Sequence, residues 1–134
     1  MILKVKTKSR TQFVDVTSQV QDVVRSSGIA HGLCMLYVPH TTAAVTINES
    51  ADPSVKSDIL MVLNEIVPWK ANYRHMEGNS PAHIKSTLFG ASELITVENG
   101  RLALGTWQGI FFCEFDGPRT RKLHVRLSEH KFVD

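Results

Sequence analysis

Residues 107–115 constrain the fold of this chain most strongly, because the run is apolar on both faces of the strand that it predicts. Its large side chains alternate between those faces: Trp107, Phe111, Cys113 and Phe115 on one, Ile110 and Phe112 on the other. A strand with no polar face is buried on both sides. The sequence therefore predicts a sheet that lies between two other layers of structure.

The other strands and helices follow from hydrophobic periodicity and from residues that start and end helices. We predict strands at residues 2–8, 12–16, 31–38, 43–47, 93–97 and 101–104, and a last strand that carries Leu123, Val125 and Leu127 on its inner face. Thr17 is predicted to cap a first helix that ends at Gly28, and Asp52 to cap a second that ends at Pro68. Ser80 is predicted to cap a short third helix ending at Gly90, and Asn99-Gly100 to form a type I′ hairpin turn.

The resulting order, ββ-α-ββ-α-α-ββββ, favours an α+β fold, because strands and helices come in separate groups. The 134 residues fit one domain, 1–134. A net charge of +2 gives no support for nucleic-acid binding, and there is no signal peptide or long apolar run, so we expect a soluble cytoplasmic protein. Cys34 and Cys113 lie in apolar runs and are expected to be buried and reduced.

Three histidines are candidate metal ligands. His75 and His83 flank a turn-rich segment, Gly78 to Pro81, and His40 closes a buried strand just before two threonines. Loop histidines are more often surface or hydrogen-bonded residues, and that alternative stays open. Together the three imidazoles suit zinc with an open fourth position, or nickel or copper.

Glu49 competes as a ligand, but geometry weighs against it. If residues 32–38 and 43–48 form a hairpin, His40 and Glu49 lie at opposite ends of a strand, about 20 Å apart at ~3.3 Å per residue. Glu49 then reaches the same metal only through a bent chain or from a neighbouring subunit. We therefore place it second, as a candidate base or interfacial acid.

Polar residues inside the apolar runs near the end of the chain are further candidates. Arg119 and Arg121 share the phase of the inward-facing residues of the last strand. They either form ion pairs with Glu114 or Asp116, or anchor a phosphate or carboxylate, or do both. Gln108 and Glu114 share an apolar face, so they belong either to a buried hydrogen-bond network or to a site.

Three blocks of the chain resemble the YjbQ family, also called UPF0047 and labelled secondary thiamine-phosphate synthase enzyme. The first block runs from His40 through Asn48-Glu49 to Asp58. The second comprises Tyr73-Arg74-His75, Asn79, Ala82-His83 and Leu88-Phe89-Gly90, and the third Gly100-Arg101-Leu102, Gly105 to Gln108 and Glu114 to Arg121. Together they span about residues 10–128.

The resemblance implies a layered β/β/α domain, assembled as a homotrimer, with a metal-associated pocket at His40, His75 and His83. It also implies joining of the thiazole phosphate and pyrimidine pyrophosphate precursors of thiamine phosphate, as a secondary activity. Pyrophosphate chemistry commonly uses magnesium on carboxylates, whereas three histidines suit zinc. The divalent metal expected is therefore zinc, with magnesium as the alternative.

The leading hypothesis is a metal-dependent enzyme that acts on a small phosphorylated substrate. It assigns proton transfer to Glu49 or Glu114 and substrate binding to Arg119, Arg121, Thr41, Asn79 and Gln108. A metal-assisted hydrolase is the chemical rival. A trimeric metal- or metabolite-binding module without catalysis, and a protein in which the histidines are only hydrogen-bond partners, are the remaining classes.

Overall fold

The computed structural model describes residues 1–134, with eight strands and three helices in the predicted order. The strands are β1 (Ile2–Lys6), β2 (Gln12–Asp15), β3 (Gly32–Tyr37), β4 (Ala43–Glu49), β5 (Ser92–Glu98), β6 (Arg101–Leu102), β7 (Gln108–Glu114) and β8 (Thr120–Glu129). The helices are α1 (Thr17–Ser27), α2 (Pro53–Ile66) and α3 (Ser80–Phe89). The predicted α+β class is confirmed.

The strands form two antiparallel sheets. The five-stranded sheet has the order β1-β8-β3-β5-β6, and the three-stranded sheet has the order β2-β7-β4. The inner face of the five-stranded sheet and one face of the three-stranded sheet enclose the main core, which α1 joins through Val20 and Val24. Side chains of α2 and α3 pack in a second core with the other face of the three-stranded sheet.

The central strand β7 supplies both cores, as its two apolar faces predicted, but the burial predicted for Trp107 is wrong, because that residue lies before the strand and is 63% exposed. Ile110 and Phe112 are fully buried between the sheets. Phe111, Cys113 and Phe115 are buried on the other face, against α2 and α3. The molecule therefore has three layers, β/β/α, with the three-stranded sheet in the middle.

Most of the predicted helix caps and turns occur within one residue of the position that the sequence indicates. The Asp52 side chain accepts hydrogen bonds from the Ser54 hydroxyl at 2.7 Å and from Ser54 N at 2.9 Å, and these bonds lower the pKa of that carboxyl. Asn99 and Gly100 both have positive φ, as a type I′ turn requires. Gly90 ends α3, but Asn79, one residue before the predicted Ser80, occupies the N-cap position and makes no side-chain capping bond. Thr17 is likewise the first helical residue rather than a cap.

The hairpin considered for residues 32–38 and 43–48 is wrong. β3 lies between β8 and β5 in the five-stranded sheet, whereas β4 pairs only with β7 in the three-stranded sheet. The break at Pro39 to Thr42 carries the chain from one layer to the other, so His40 and Thr41 lie where the two sheets meet.

Both cysteines are free and buried, which confirms that prediction. Burial raises the pKa of Cys34 to about 11, so its thiol stays protonated near neutral pH. None of the helices combines the length and the apolar character needed to cross a membrane.

Candidate functional site

His75 and His83 come together beside the start of α3. Their rings lie edge to face, with centroids 5.3 Å apart and planes at 87°. Tyr73, Ser80 and Ile84 complete a cavity of about 290 Å³ around the two rings, which we call the histidine cleft. Pro68 accepts a hydrogen bond from the Tyr73 hydroxyl through its carbonyl oxygen, and this bond ties the loop that carries His75 to the end of α2. The structure thus brings these two predicted ligands into contact.

His40 lies on the other side of His83. A second cavity, of about 380 Å³, is lined by His40, Thr41, Ala43, His83, Ser86, Thr87, Gly90 and Ala91; we call it the hydroxyl compartment. His83 lines both cavities and is the residue that they share. The three predicted ligands therefore line two neighbouring cavities.

The three histidines do not, however, form a ready metal site within one chain. No group of three or more His, Cys, Asp or Glu side chains is placed to hold a metal ion. His40 Nε2 accepts a hydrogen bond from Lys122 N at 2.9 Å, so in this position its lone pair is occupied and the neutral ring carries its proton on Nδ1. Burial and the Arg121 charge hold the pKa of His40 below its ordinary value, which favours that neutral ring.

Glu114 and Arg121 form a buried ion pair behind His40. Arg121 donates to Glu114 Oε1 from Nε at 2.8 Å and to Oε2 from a terminal nitrogen, in the two-bond geometry that suits a carboxylate. The same nitrogen donates to the Thr42 hydroxyl at 2.8 Å. Glu114 also accepts from the Thr7 hydroxyl and from two backbone amides. The ion pair considered for Arg121 is thus present, and both partners are almost completely buried, at 3% and 0% exposure.

This ion pair predicts a specific loss of stability in acid. Burial acts to raise the pKa of Glu114, but the hydrogen bonds from Arg121, the backbone and Thr7, together with the Arg121 charge, outweigh it, and the net pKa lies below its ordinary 4.5. Its stabilising contribution is therefore present above pH 4.5 and is lost as the pH falls through the folded-state pKa. Urea unfolding at pH 6, 4.5 and 3 should show a steeper acid loss in the wild type than in Glu114→Gln. Equal slopes would contradict the assignment.

Arg119 and Asn79 are joined through one carboxylate. Arg119 donates to Asp116 Oδ2 at 3.1 Å, and Asn79 Nδ2 donates to the same oxygen at 3.0 Å. The Arg119 side chain remains 53% exposed, which contrasts with buried Arg121. Because Asn79 immediately precedes α3, this chain of bonds brings an accessible guanidinium to the helix end that borders the histidine cleft.

Only two buried side-chain polar atoms in the chain lack a hydrogen-bond partner, Asn79 Oδ1 and Ser86 Oγ. Leaving such an atom unpaired costs about 1–3 kcal/mol. Ser86 lies three residues after His83, so these two side chains share one face of α3, and Asn79 is the N-cap residue at the start of the same helix. Ser86 was not identified from the sequence; its i+3 spacing from His83 was the available signal.

Glu49 and Gln108 lie away from the histidines. They pair with each other at the far end of β4, six residues from Ala43, which lines the hydroxyl compartment together with His40. At ~3.3 Å per residue that is about 20 Å, so the separation expected from the sequence holds although the hairpin does not. Gln108 Oε1 accepts from Gly105 N at 2.8 Å and braces the turn before β7. One chain therefore brings neither residue to the histidine cleft.

The comparisons with known proteins agree with this fold. The family model described as UPF0047 protein YjbQ-like matches residues 1–130. The UPF0047 protein YugU of Bacillus subtilis is 52% identical over 126 residues, covering 93% of this chain and 96% of YugU. A UPF0047 protein of Methanocaldococcus jannaschii is 50% identical over 124 residues, covering 92% and 90% of the two chains.

Solved structures give the same result. A crystal structure of an uncharacterized conserved protein of the YjbQ/UPF0047 family from Clostridium acetobutylicum superposes with a TM-score of 0.94 at 50% identity, covering 96% of this chain and 99% of that one. A YbjQ-like protein of unknown function from Sulfolobus solfataricus superposes with a TM-score of 0.91 at 36% identity, covering 95% and 94%. The resemblance inferred from the three sequence blocks is confirmed: this chain belongs to the YjbQ-like UPF0047 family.

Proposed function

We propose that the protein is a metal-dependent enzyme acting on a small phosphorylated metabolite. The observation that carries this proposal is the edge-to-face pair of His75 and His83 at an open cleft beside the start of α3. Two imidazoles in contact at the mouth of a cavity are suited to share a divalent ion. Zinc is the ion that imidazole ligands favour, and magnesium is the alternative.

One chain supplies two imidazoles at this cleft, and a tetrahedral zinc site with an open position needs three protein ligands. His40 becomes the third if its ring leaves the Lys122 amide and frees a lone pair toward His83. A residue from a neighbouring protomer is the other source, in the homotrimer that the family resemblance implies. A bound ion in this cleft would polarise a phosphoryl oxygen or lower the pKa of bound water.

The phosphate of the substrate is assigned to the start of α3. Arg119 keeps an exposed guanidinium there, Asn79 is at the N-cap, and the helix dipole adds partial positive charge. In the thiamine-phosphate-synthase-like reaction that the resemblance implies, the bond to pyrophosphate breaks as the thiazole nitrogen is alkylated. Arg119 would then stabilise the negative charge on the departing group. Thr41 lines the hydroxyl compartment and is assigned to substrate binding there.

A binding module without catalysis is the second candidate, and a specific observation favours it. No Asp or Glu side chain lines either cavity. Glu114 is engaged by Arg121 and backbone amides, and Glu49 lies at the other end of β4. A catalytic base in this cleft therefore has to be an imidazole or a metal-bound hydroxide, the latter being the nucleophile of the hydrolase alternative.

Metal analysis of purified protein tests the proposal. The wild type should carry about one zinc per chain, and His75→Ala and His83→Ala should carry only traces, because each removes one of the paired imidazoles. His130→Ala is the matched control: His130 is exposed and far along the chain from the cleft, so it should retain wild-type metal. Trace metal in all four proteins would overturn the metal site.

Turnover then separates the enzyme from the binding module. The metal-loaded wild type is incubated with a panel of phosphorylated metabolites and phosphate or pyrophosphate release is measured. The enzyme proposal expects release that His83→Ala abolishes. Stoichiometric metal with no release from any compound would support the binding module instead.

A further inference from the structure

Helix α3 and its N-cap residue together hold both unpaired buried polar atoms of the chain. Asn79 Oδ1 lies on one side of His83 and Ser86 Oγ on the other. Seven residues at ~1.5 Å each separate them by about 10 Å along the helix. Buried polar atoms in folded proteins are nearly always paired. Of the two, only Ser86 lines a cavity, so a ligand in the hydroxyl compartment would supply the partner that Ser86 Oγ lacks. Asn79 Oδ1 accepts hydrogen bonds, so a phosphate oxygen is no partner for it.

The hydroxyl compartment beyond His83 has a different chemistry from the histidine cleft. None of its lining residues is Lys, Arg, Asp or Glu. The Thr87 hydroxyl already donates to the His83 carbonyl at 2.9 Å, and His40 Nε2 is already an acceptor. The groups left to meet a ligand are therefore Ser86 Oγ, Thr41 and the Nδ1–H of His40.

A phosphate group is a poor occupant of this compartment. Burying an anion without a cation is costly, and the compartment contains no cation as long as His40 keeps its bond to Lys122 N. The compartment also reaches Gly90, at the carboxyl end of α3, where the helix dipole is negative. Neither objection applies to an uncharged group such as a hydroxyl, an amide or a ring nitrogen.

We propose that the hydroxyl compartment binds the uncharged, hydrogen-bonding end of the substrate, and that Ser86 is a specificity-determining residue there. The inference rests on the proposed function, because it assumes that the phosphate end of the same molecule occupies the side of Asn79 and Arg119. The substrate class is thereby narrowed to phosphate esters with a polar, uncharged group about 10 Å from the phosphate or nearer.

Nuclear magnetic resonance of the ¹⁵N-labelled full chain tests this placement, with ribose 5-phosphate and inorganic phosphate as probes. Ribose 5-phosphate should shift the amides of residues 79–83 and also those of residues 86–91 and 40–43. Inorganic phosphate should shift only the first group. Ribose 5-phosphate that leaves residues 86–91 unshifted at 20 mM, or inorganic phosphate that shifts them equally, would overturn the proposal.

Ser86→Ala tests the residue itself. It should weaken ribose 5-phosphate binding about 2- to 12-fold, the range for one hydrogen bond, and leave inorganic phosphate binding unchanged. Ser57→Ala is the matched control, an exposed helical serine on α2 that bonds its own helix, and should change neither affinity. Unchanged ribose 5-phosphate affinity in Ser86→Ala would overturn the assignment.

Thermal unfolding without ligand provides the second readout. Ser86→Ala should melt at or above the wild-type temperature, because no hydrogen bond of the folded chain is lost. A lower melting temperature would mark Ser86 as a structural residue and contradict its assignment to a ligand. None of these outcomes depends on metal content. If the wild type contains no metal but binds ribose 5-phosphate in a Ser86-dependent way, the proposed metal-dependent function is rejected and the proposal for the hydroxyl compartment still holds.

Discussion

Arg121→Met is expected to lower the free energy of unfolding by about 3–5 kcal/mol, the usual cost of removing one partner of a buried ion pair. Glu114 would remain fully buried with its Arg121 bonds gone, and Thr42 would lose its guanidinium donor. Methionine keeps much of the arginine stem, so packing changes least. Urea denaturation at pH 7, followed by the fluorescence of Trp69 and Trp107, measures the loss.

Arg119→Met is the matched control for this prediction. Arg119 also forms an ion pair with a carboxylate, but its side chain is 53% exposed, and exposed pairs contribute about 0–1 kcal/mol. The double variant Arg121→Met, Glu114→Leu should recover much of the stability lost in Arg121→Met, because no unpaired charge stays buried. Equal losses in Arg121→Met and Arg119→Met would mean that the buried pair contributes no more than a surface pair.

Gly32→Ala is expected to destabilise the protein by about 1–3 kcal/mol, as overpacking in a filled interior does. Gly32 lies in β3 between β5 and β8, opposite Val97 and Glu129. A methyl group there would lie 2.1 Å from the Ser128 carbonyl oxygen, which belongs to the backbone of β8. The strand end has to move, because no side-chain rotation relieves that contact.

Gly105→Ala is the control, since the nearest atom to its added methyl is the flexible Gln108 amide oxygen at 3.3 Å. Gly105→Ala should lower the free energy of unfolding by well under half of the loss in Gly32→Ala. Hydrogen exchange offers a local readout: amides at the end of β8 should exchange faster in Gly32→Ala, whereas those of β1 should be unaffected. If Gly32→Ala has the same free energy of unfolding as the wild type, then β3 and β8 can move apart at this position without loss of stability, and the prediction is wrong.

The two arginines near the end of the chain have different roles, one in binding and one in stability, which the sequence alone does not distinguish. Arg119 and Arg121 have the same phase, and the sequence predicts substrate binding for both. In the structure only Arg119 has an exposed guanidinium near the start of α3, while Arg121 holds Glu114 and Thr42 together behind His40. Of the two, Arg119 is the phosphate ligand that we propose.

Local chemistry was enough to predict the order and type of all eleven elements. Asp52-Pro53 starts α2 because a carboxylate accepts the free amide of Ser54, and Asn99-Gly100 turns because both residues tolerate positive φ. The two apolar faces of β7 indicated a central layer, because side-chain alternation reports burial on each side of a strand. The family resemblance rests on three blocks of the sequence and needs no structure to be recognised.

Only the tertiary structure decided which strands are neighbours and which site residues meet. Periodicity shows which way a side chain points, but not which strand lies beside it. The sequence therefore allows a hairpin of β3 and β4, although the two strands belong to different sheets. For the same reason the sequence did not determine that His75 meets His83 while Glu49 and Gln108 lie at the other end of β4. Contacts between residues far apart in sequence depend on how the layers pack, which is a property of the whole chain.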